Sequence, residues 1–584
     1  MIANSPFIVG VSGHRDLDPE QLPQLREAVA SFVRELKEYL PDTELHLIVG
    51  MAEGADLLVV ETALALGVKV EAVLPMRLAQ YASDFDGPTL ARLRALLRHP
   101  QVRCIELAAP AAPTEAGTPS SPEQRDAMYA NLTSTLIRRS SLLLALWDGR
   151  VSQLAGGTAD TVLRFLGVRN DPHPGPELLE FLDAPPDTDA AERLVYWTPT
   201  ARSSGTPLES RAPCFLLATG DNTLQMLYTM PALLRRQLTE LNGYNVEFRE
   251  LTEAGRLPPS HSLLSALPVR LPVPERRLLA DIDEQYGKAD TLAVYYQRRS
   301  DRLFELFAVM ALAMGLAYLV YEKLTESRIL LMGYALTLLT SLGVYHVLQG
   351  RRWFGKHLTY RALAETLRAR FYLRLGGAER GVDAAGVLAL SGIDRFRGFG
   401  WIAFVLKGIE PSDVRDAGAA EPDALDECGV EQAWIEDQHA YFTAKVARLE
   451  RSERRVKRLR QTLFVAILLV ISVLFVFGES LHRIDTGLGV PLRNMLTFSM
   501  GAMAVLLGVW QLHQDKMATR ELLWQYRNQL NHFSHARAQL ARISSPRRRQ
   551  AVLAELGKDS LMESYLWAIH RYHREHEPPA AGGT

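Results

Sequence analysis

Two hydrophobic rhythms divide the chain. Over residues 1–200, short apolar runs alternate with helical patterns. The runs lie at 7–11, 45–49, 68–74, 102–107, 142–147 and 194–197. Between them, apolar residues recur every three or four positions, as at Leu22, Leu25, Val29, Phe32, Val33 and Leu36. That spacing predicts a helix with one buried face. Further helices are predicted over about 55–66, 90–97, 123–140 and 158–166. Strands alternating with helices predict an α/β domain with a parallel sheet. Residues 168–191, rich in Pro and Asp, read as a surface insertion. Residues 201–275 read as an extension, helical around 231–241, ending in a Pro/Ser-rich linker.

From residue 276 onward the pattern is helical, and four runs lack charge. They cover 307–321, 329–348, 463–478 and 495–512, that is 15, 20, 16 and 18 residues. A membrane-spanning helix needs about 20 apolar residues, with a range of roughly 17–25. Buried helices of a globular core are the alternative. The pairing of the runs favours transmembrane helices at about 304–321, 329–348, 462–478 and 495–512. They form two hairpins, in a first helical unit (276–380) and a second (431–575), with a linker over 381–430 and a disordered tail at 576–584. Long amphipathic helices flank each hairpin, so the layout helix, span, span, helix occurs twice. Small residues on the fourth run (Gly501, Ala502, Ala504, Gly508) permit close helix packing.

Charge orients the hairpins. Arg298, Arg299 and Arg302 precede the first run, and Arg351, Arg352 and Lys356 follow the second. Arg448, Arg451, Arg454, Arg455, Lys457, Arg458 and Arg460 crowd the approach to the third. The connectors hold only Lys323, Arg328, Arg483 and Arg493. The positive-inside rule then puts the connectors outside and the N-terminal domain and C-terminus in the cytoplasm. No basic leader precedes the first apolar run, so no cleaved signal peptide is expected. The lipid bilayer is the first expected partner. The 65 Lys and Arg against 67 Asp and Glu give a net charge of −2, which excludes a globally basic nucleic-acid binder. Cys104, Cys214 and Cys428 are too scattered for a disulfide framework or zinc site, and no metal is predicted.

Three glycine-bearing segments follow strands of the α/β domain. They are GVSGHRDL (10–17), VGMAEGAD (49–56), and WDG (147–149) with AGGTADTV (155–162). In a parallel sheet these strand ends share one edge, where ligands bind. Gly10, Gly13, Gly50, Gly54, Gly149, Gly156 and Gly157 would let the backbone approach a ligand. Helix-start N–H groups attract phosphate. Ser12 and Thr158 add hydroxyls, and His14 and Arg15 suit a phosphate. Asp56, Asp148 and Asp160, with Glu53 in the second turn, could accept from ribose or a base. Each segment alone is also an ordinary turn or helix cap. Together they point to a nucleotide-derived ligand. Neither a Walker A loop nor a GxGxxG fingerprint is present.

The order SGHRDL, GMAEGADLLVVETAL, LWDG, GGTADTVLRFL resembles the SLOG superfamily over roughly residues 5–200. That is the Rossmann-like group related to LOG nucleotide phosphoribohydrolases and DprA-like proteins. The helical half is similar to SLATT domains, on YYQRRSDRLFELF and WIEDQHAYF with the hairpins that follow them. The resemblance implies a Rossmann-like domain and a bacterial conflict or antiphage protein of the inner membrane. A small nucleotide signal, made by a partner enzyme, would bind the cytosolic domain. The spans would respond by homo-oligomerising and disrupting the membrane. LOG hydrolases carry PGGxGTxxE with a catalytic glutamate. Here LAGGTADTV places Leu163 at that position, which favours binding over catalysis. The alternatives are a membrane-tethered nucleotide or NAD-type hydrolase, with Asp160 as substitute acid, and a nucleotide-regulated channel.

Overall fold

Strand and helix alternate as expected, and the strands join in one nine-stranded sheet. The computed structural model describes residues 4–572 except 108–121, 153–155, 169–178, 186–187, 189–192, 205–210, 220–222, 268–272, 350, 380–385, 388–390, 394–395, 410–426, 485 and 488–489. Most of the 168–191 stretch and the 576–584 tail therefore lie outside the described residues. The chain forms two compact units. One is Met1–Arg256 with Asp394–Asp423, and the other is Leu257–Ile393 with Ala424–Thr584.

The first unit holds β1 (Phe7–Gly13), β2 (Leu45–Val49), β3 (Lys69–Leu74), β4 (Val102–Glu106), β5 (Leu142–Trp147), β6 (Glu180–Asp183), β7 (Val195–Pro199), β8 (Cys214–Ala218) and β9 (Thr223–Leu227). Their order is β4-β3-β2-β1-β5-β7-β8-β9-β6. From β4 to β7 all pairs are parallel. β8 is antiparallel to both β7 and β9, so the sheet is mixed at one side rather than wholly parallel. The connection after β8 spans only residues 219–222, too short for a crossover, which forces the chain straight back into β9. β6, within the expected surface insertion, pairs with β9 at the sheet edge.

β5 is buried along its whole length, as the unbroken run LLLALW requires of a strand covered on both faces. α1 (Leu22–Tyr39), α2 (Ala55–Ala65), α3 (Gly87–Leu97), α4 (Pro122–Arg139) and α5 (Thr158–Leu166) supply the cover. Leu132 and Leu136 of α4 pack on Ile8, Ile48, Val73 and Ile105. α5 packs on the same face against Trp147, Val195 and Trp197. On the other face Phe32 of α1 stacks on Tyr196, with ring centroids 4.1 Å apart.

The unit continues past residue 200. β8, β9 and α6 (Ala232–Glu253) belong to it. Part of the 381–430 linker belongs to it as well, through a short helix, Ile402–Gly408. Phe404 meets Phe7 edge-on at 5.0 Å, and Trp401 lies 4.8 Å from Tyr244 of α6. Lys407 Nζ donates to the Ser140 carbonyl at 2.8 Å.

The second unit contains α7 (Val273–Lys323), α8 (Arg328–Gln349), α9 (Trp353–Leu375), α10 (Asp437–His482), α11 (Leu492–Met517), α12 (Thr519–Leu540) and α13 (Pro546–Tyr572). Among the described residues, four helices are long and apolar enough to cross a membrane, and none of the residues in their apolar windows is buried. Ile329 is 78% and Phe475 90% exposed. Exposed apolar surface on this scale marks a face built for contact with lipid or protein. The first and fourth runs pack closely through glycine. A β-carbon on Gly315 would lie 2.5 Å from Val505 Cγ1, and one on Gly501 would lie 2.8 Å from Leu319 Cδ2. Nothing lies within 4 Å of such an atom on Gly508. Away from these runs, an ion pair and a hydrogen bond bind α7 to α9, with a second ion pair inside α9. Arg361 reaches Asp290 at 3.3 Å, and Arg368 reaches Glu365 at 2.9 Å and the Tyr286 hydroxyl at 2.8 Å.

The packing of residues 402–408 predicts that Phe404→Ala weakens the first unit by about 3–5 kcal/mol. Hydrogen exchange on the full-length protein should show faster exchange in β1 and α6. Unchanged protection there would mean that the returning helix is not part of this core.

Candidate ligand-binding site

The three glycine segments meet where the strand order reverses. β1 lies between β2 and β5, with all three parallel, so the chain leaves them at one edge. Such a reversal opens a crevice beyond the strand ends. Main-chain bonds hold the exits together. His14 N–H donates to Leu146 O at 3.1 Å, and Ala55 N–H donates to His14 O at 3.0 Å. The first segment is thus wedged between the second and the third.

Two turns need glycine. Gly54 has φ +80°, and a β-carbon there would lie 2.2 Å from the Arg15 carbonyl oxygen. Gly156 has φ +77° and faces the backbone of Tyr129 on α4 at 3.0 Å. Gly157 is the N-cap of α5, which opens at Thr158, and supplies no side-chain cap. The positive end of that helix lies at the third segment.

The two helix-opening segments share one device. Asp56 Oδ2 accepts from Ala52 N–H at 3.0 Å, and Asp160 Oδ2 accepts from Gly156 N–H at 2.9 Å. Each carboxylate, inside the first turn of its helix, ties down a loop residue four positions earlier. Burial pushes the Asp56 carboxyl up to about 7, against the bond from Ala52 and the charge of Arg15. One oxygen of each of these two aspartates, expected to accept from ribose or a base, thus already holds its own loop.

His14 and Asp148 face each other across the exits of β1 and β5. Nε2 of His14 lies 3.0 Å from Asp148 N and 3.1 Å from Asp148 Oδ1. One nitrogen can serve only one of them. Protonated, it donates to the carboxylate; unprotonated, it accepts the N–H. Burial raises the Asp148 carboxyl, but bonds from His14 and from Arg150 N–H outweigh it and hold it below its ordinary value. Asp16 straps the loop after β1 to the chain after β7, taking bonds from Arg202 at 2.9 Å and Ser204 at 2.5 Å.

A second cluster flanks the first segment. Arg15 donates to the Tyr129 hydroxyl at 3.3 Å, Tyr129 bonds Asp84, and Arg125 pairs with Asp84. None of the last three was among the candidates. Arg125 and Tyr129 are four apart on α4, the one signal that they share a face. Asp84 had none.

The other candidates are distributed as follows. Gly50, at the end of β2, accepts from the buried Tyr81 hydroxyl at 3.1 Å. Glu53 is exposed and accepts from Thr89 at 3.3 Å. Ser12 pairs with Ala145 and Gly13 with Leu146 in the β1–β5 ladder. Gly149 turns beside Trp197. Gly10 lies inside β1 rather than at the edge. A β-carbon there would meet Ser140 Oγ at 2.1 Å, so it is glycine for packing. Leu163 is 2% exposed, within the core beneath the sheet. Among the described residues no group of three or more His, Cys, Asp or Glu is placed to hold a metal.

No known family model matches the chain, and no curated protein matches it significantly.

The buried Asp56 generates a pH prediction. Its carboxyl keeps a proton to about pH 7 when folded, against an ordinary value of 3.8. Between these values the folded state binds more protons, so Asp56 makes stability fall as pH rises. Asp56→Asn keeps an acceptor for Ala52 and cannot ionise. The melting temperature of wild type should therefore decline relative to Asp56→Asn from about pH 4 to 7, and level off above about pH 8. A difference independent of pH would contradict the burial.

Proposed function

We propose that the protein is a nucleotide-responsive membrane protein. Its first unit, read as Rossmann-like, binds a nucleotide-derived signal. Its four apolar helices cross a bacterial inner membrane, with the first unit and the C-terminus in the cytoplasm. The observation that carries this reading is the meeting of three glycine segments at one strand-order reversal, in a chain that also holds four exposed apolar helices. Arg15 and the start of α5 at Gly157 and Thr158 suit phosphate. The His14–Asp148 pair suits a ribose or base, because both groups can exchange their mutual contact for a ligand's.

Connectivity supports a response. Residues 394–423 join the first unit to the first hairpin at one end and to the second at the other. A ligand shifts an equilibrium only by binding one state better. Homo-oligomerisation on binding would supply that difference, and rearranged spans would then disrupt the membrane. The conflict or antiphage setting, and a partner enzyme that makes the signal, rest on the SLOG and SLATT resemblance. Leu163 in the core supports sensing over hydrolysis.

The test is full-length protein in detergent, incubated with linear and cyclic nucleotides and read by thermal shift and product chromatography. One compound should raise the melting temperature and return unchanged. Arg15→Ala should weaken its binding roughly tenfold or more. A consumed compound would replace the sensor with a tethered hydrolase. No response from any compound would remove the nucleotide assignment.

A further inference from the structure

The cations that flank the apolar runs are used in two ways. Around the first hairpin the protein itself engages three of them, Arg299, Arg352 and Lys356, while Arg298, Arg302 and Arg351 are exposed. Arg299 lies over the rings of Tyr295 (4.6 Å) and Trp353 (5.1 Å), and Lys356 over Tyr296 (5.3 Å). Arg352 donates to the Tyr572 hydroxyl at 3.3 Å. In the first turn of α13, Arg549 donates to the carbonyls of Leu540 (3.0 Å) and Ile543 (2.9 Å), capping the end of α12.

The approach to the third run is different. α10 is one helix from Asp437 to His482, so the cations and the apolar run share a single rod. Ion pairs to α12 occur at Glu436, with Arg537, and at Glu450, with Arg527, both at 2.6 Å. Beyond Glu450, Arg451, Arg454, Arg455, Lys457, Arg458 and Arg460 are all exposed. Among the described residues, Arg455, Lys457, Arg458 and Arg460 form no ion pair. At about 100° per residue they point all round the helix, forming a collar.

Dimensions identify what such a collar meets. Residues 455–460 rise about 8 Å, close to the roughly 5–8 Å depth of a headgroup layer. The charge-free run 463–478 rises about 24 Å, short of a hydrocarbon core of about 30 Å. That mismatch draws long cationic side chains toward the phosphates. Orientation by the positive-inside rule needs only cations on one side, and the packed ones of the first hairpin meet it equally. Cations without a protein counter-charge need another.

We infer that Arg455, Lys457, Arg458 and Arg460 bind the phosphates of anionic phospholipid headgroups and seat the second hairpin in one leaflet. The inference rests on reading α10 as crossing a membrane.

The experiment separates the two. Membranes carrying the full chain are first washed with alkaline carbonate. Detergent-solubilised protein is then melted with phosphatidylglycerol, phosphatidylcholine or inorganic phosphate. Phosphatidylglycerol alone should raise the melting temperature of wild type, of R547Q/R548Q and of the charge-preserving R455K/R458K/R460K. The shift should vanish in R455Q/K457Q/R458Q/R460Q, with retained phosphatidylglycerol in native mass spectra falling roughly tenfold. A full response in that variant, loss in the Lys variant, or an equal response to phosphatidylcholine or phosphate would overturn the collar. Release of the protein by carbonate would overturn the spanning reading, and the collar with it.

Discussion

The first unit depends on the burial of β1 from Phe7 to Val11. Phe7, Ile8, Val9 and Val11 are at most 1% exposed, with β2 on one side of the strand and β5 on the other. At its start Phe7 carries Phe404 of the returning helix; at its exit His14 is bonded to Leu146 and to Ala55. Close-packed interiors transmit displacement more readily than they absorb it. One strand therefore joins the candidate site to the segment from which the chain departs for both hairpins.

The site is held in shape before any ligand arrives. Asp56 and Asp160 use the same short-range bond to fix the loops ahead of α2 and α5, and Asp16 fixes the loop after β1. Such preorganisation lowers the ordering cost of binding. Its penalty is electrostatic: the Asp56 carboxyl is buried deeply enough to move to about 7. The groups left adjustable are Arg15 with Tyr129 and His14 with Asp148, whose contacts are single hydrogen bonds near the surface.

In the second unit, two hairpins follow one layout, and each has the same joint. Arg352 (φ 47°) links α8 to α9, and Ala518 (φ 50°) links α11 to α12. A non-glycine residue in this conformation costs roughly 1–2 kcal/mol. It persists because the helices on either side are held differently. One is exposed and apolar, and the other packs in a bundle with buried polar groups such as Thr366, whose hydroxyl lies 2.6 Å from that of Tyr565.

The central strands, the three glycine segments and the four apolar runs were legible because each is a local pattern. Short apolar runs, turn chemistry and uninterrupted hydropathy need no knowledge of distant residues. β6, β8 and β9 were not legible. They are four or five residues long, and their pairing is decided by neighbours far along the chain. The helix at 402–408 was hidden for the same reason: its seven residues carry too little periodicity to reveal a partner some 400 positions earlier. Within the site, sequence alone determined which residue types stand at the strand ends. Only the tertiary structure decided which way they turn, since direction depends on what is packed around them. Burial turned Asp56 inward, crowding by Ser140 made Gly10 a packing residue, and the register of α4 over the strands brought Tyr129 to Arg15.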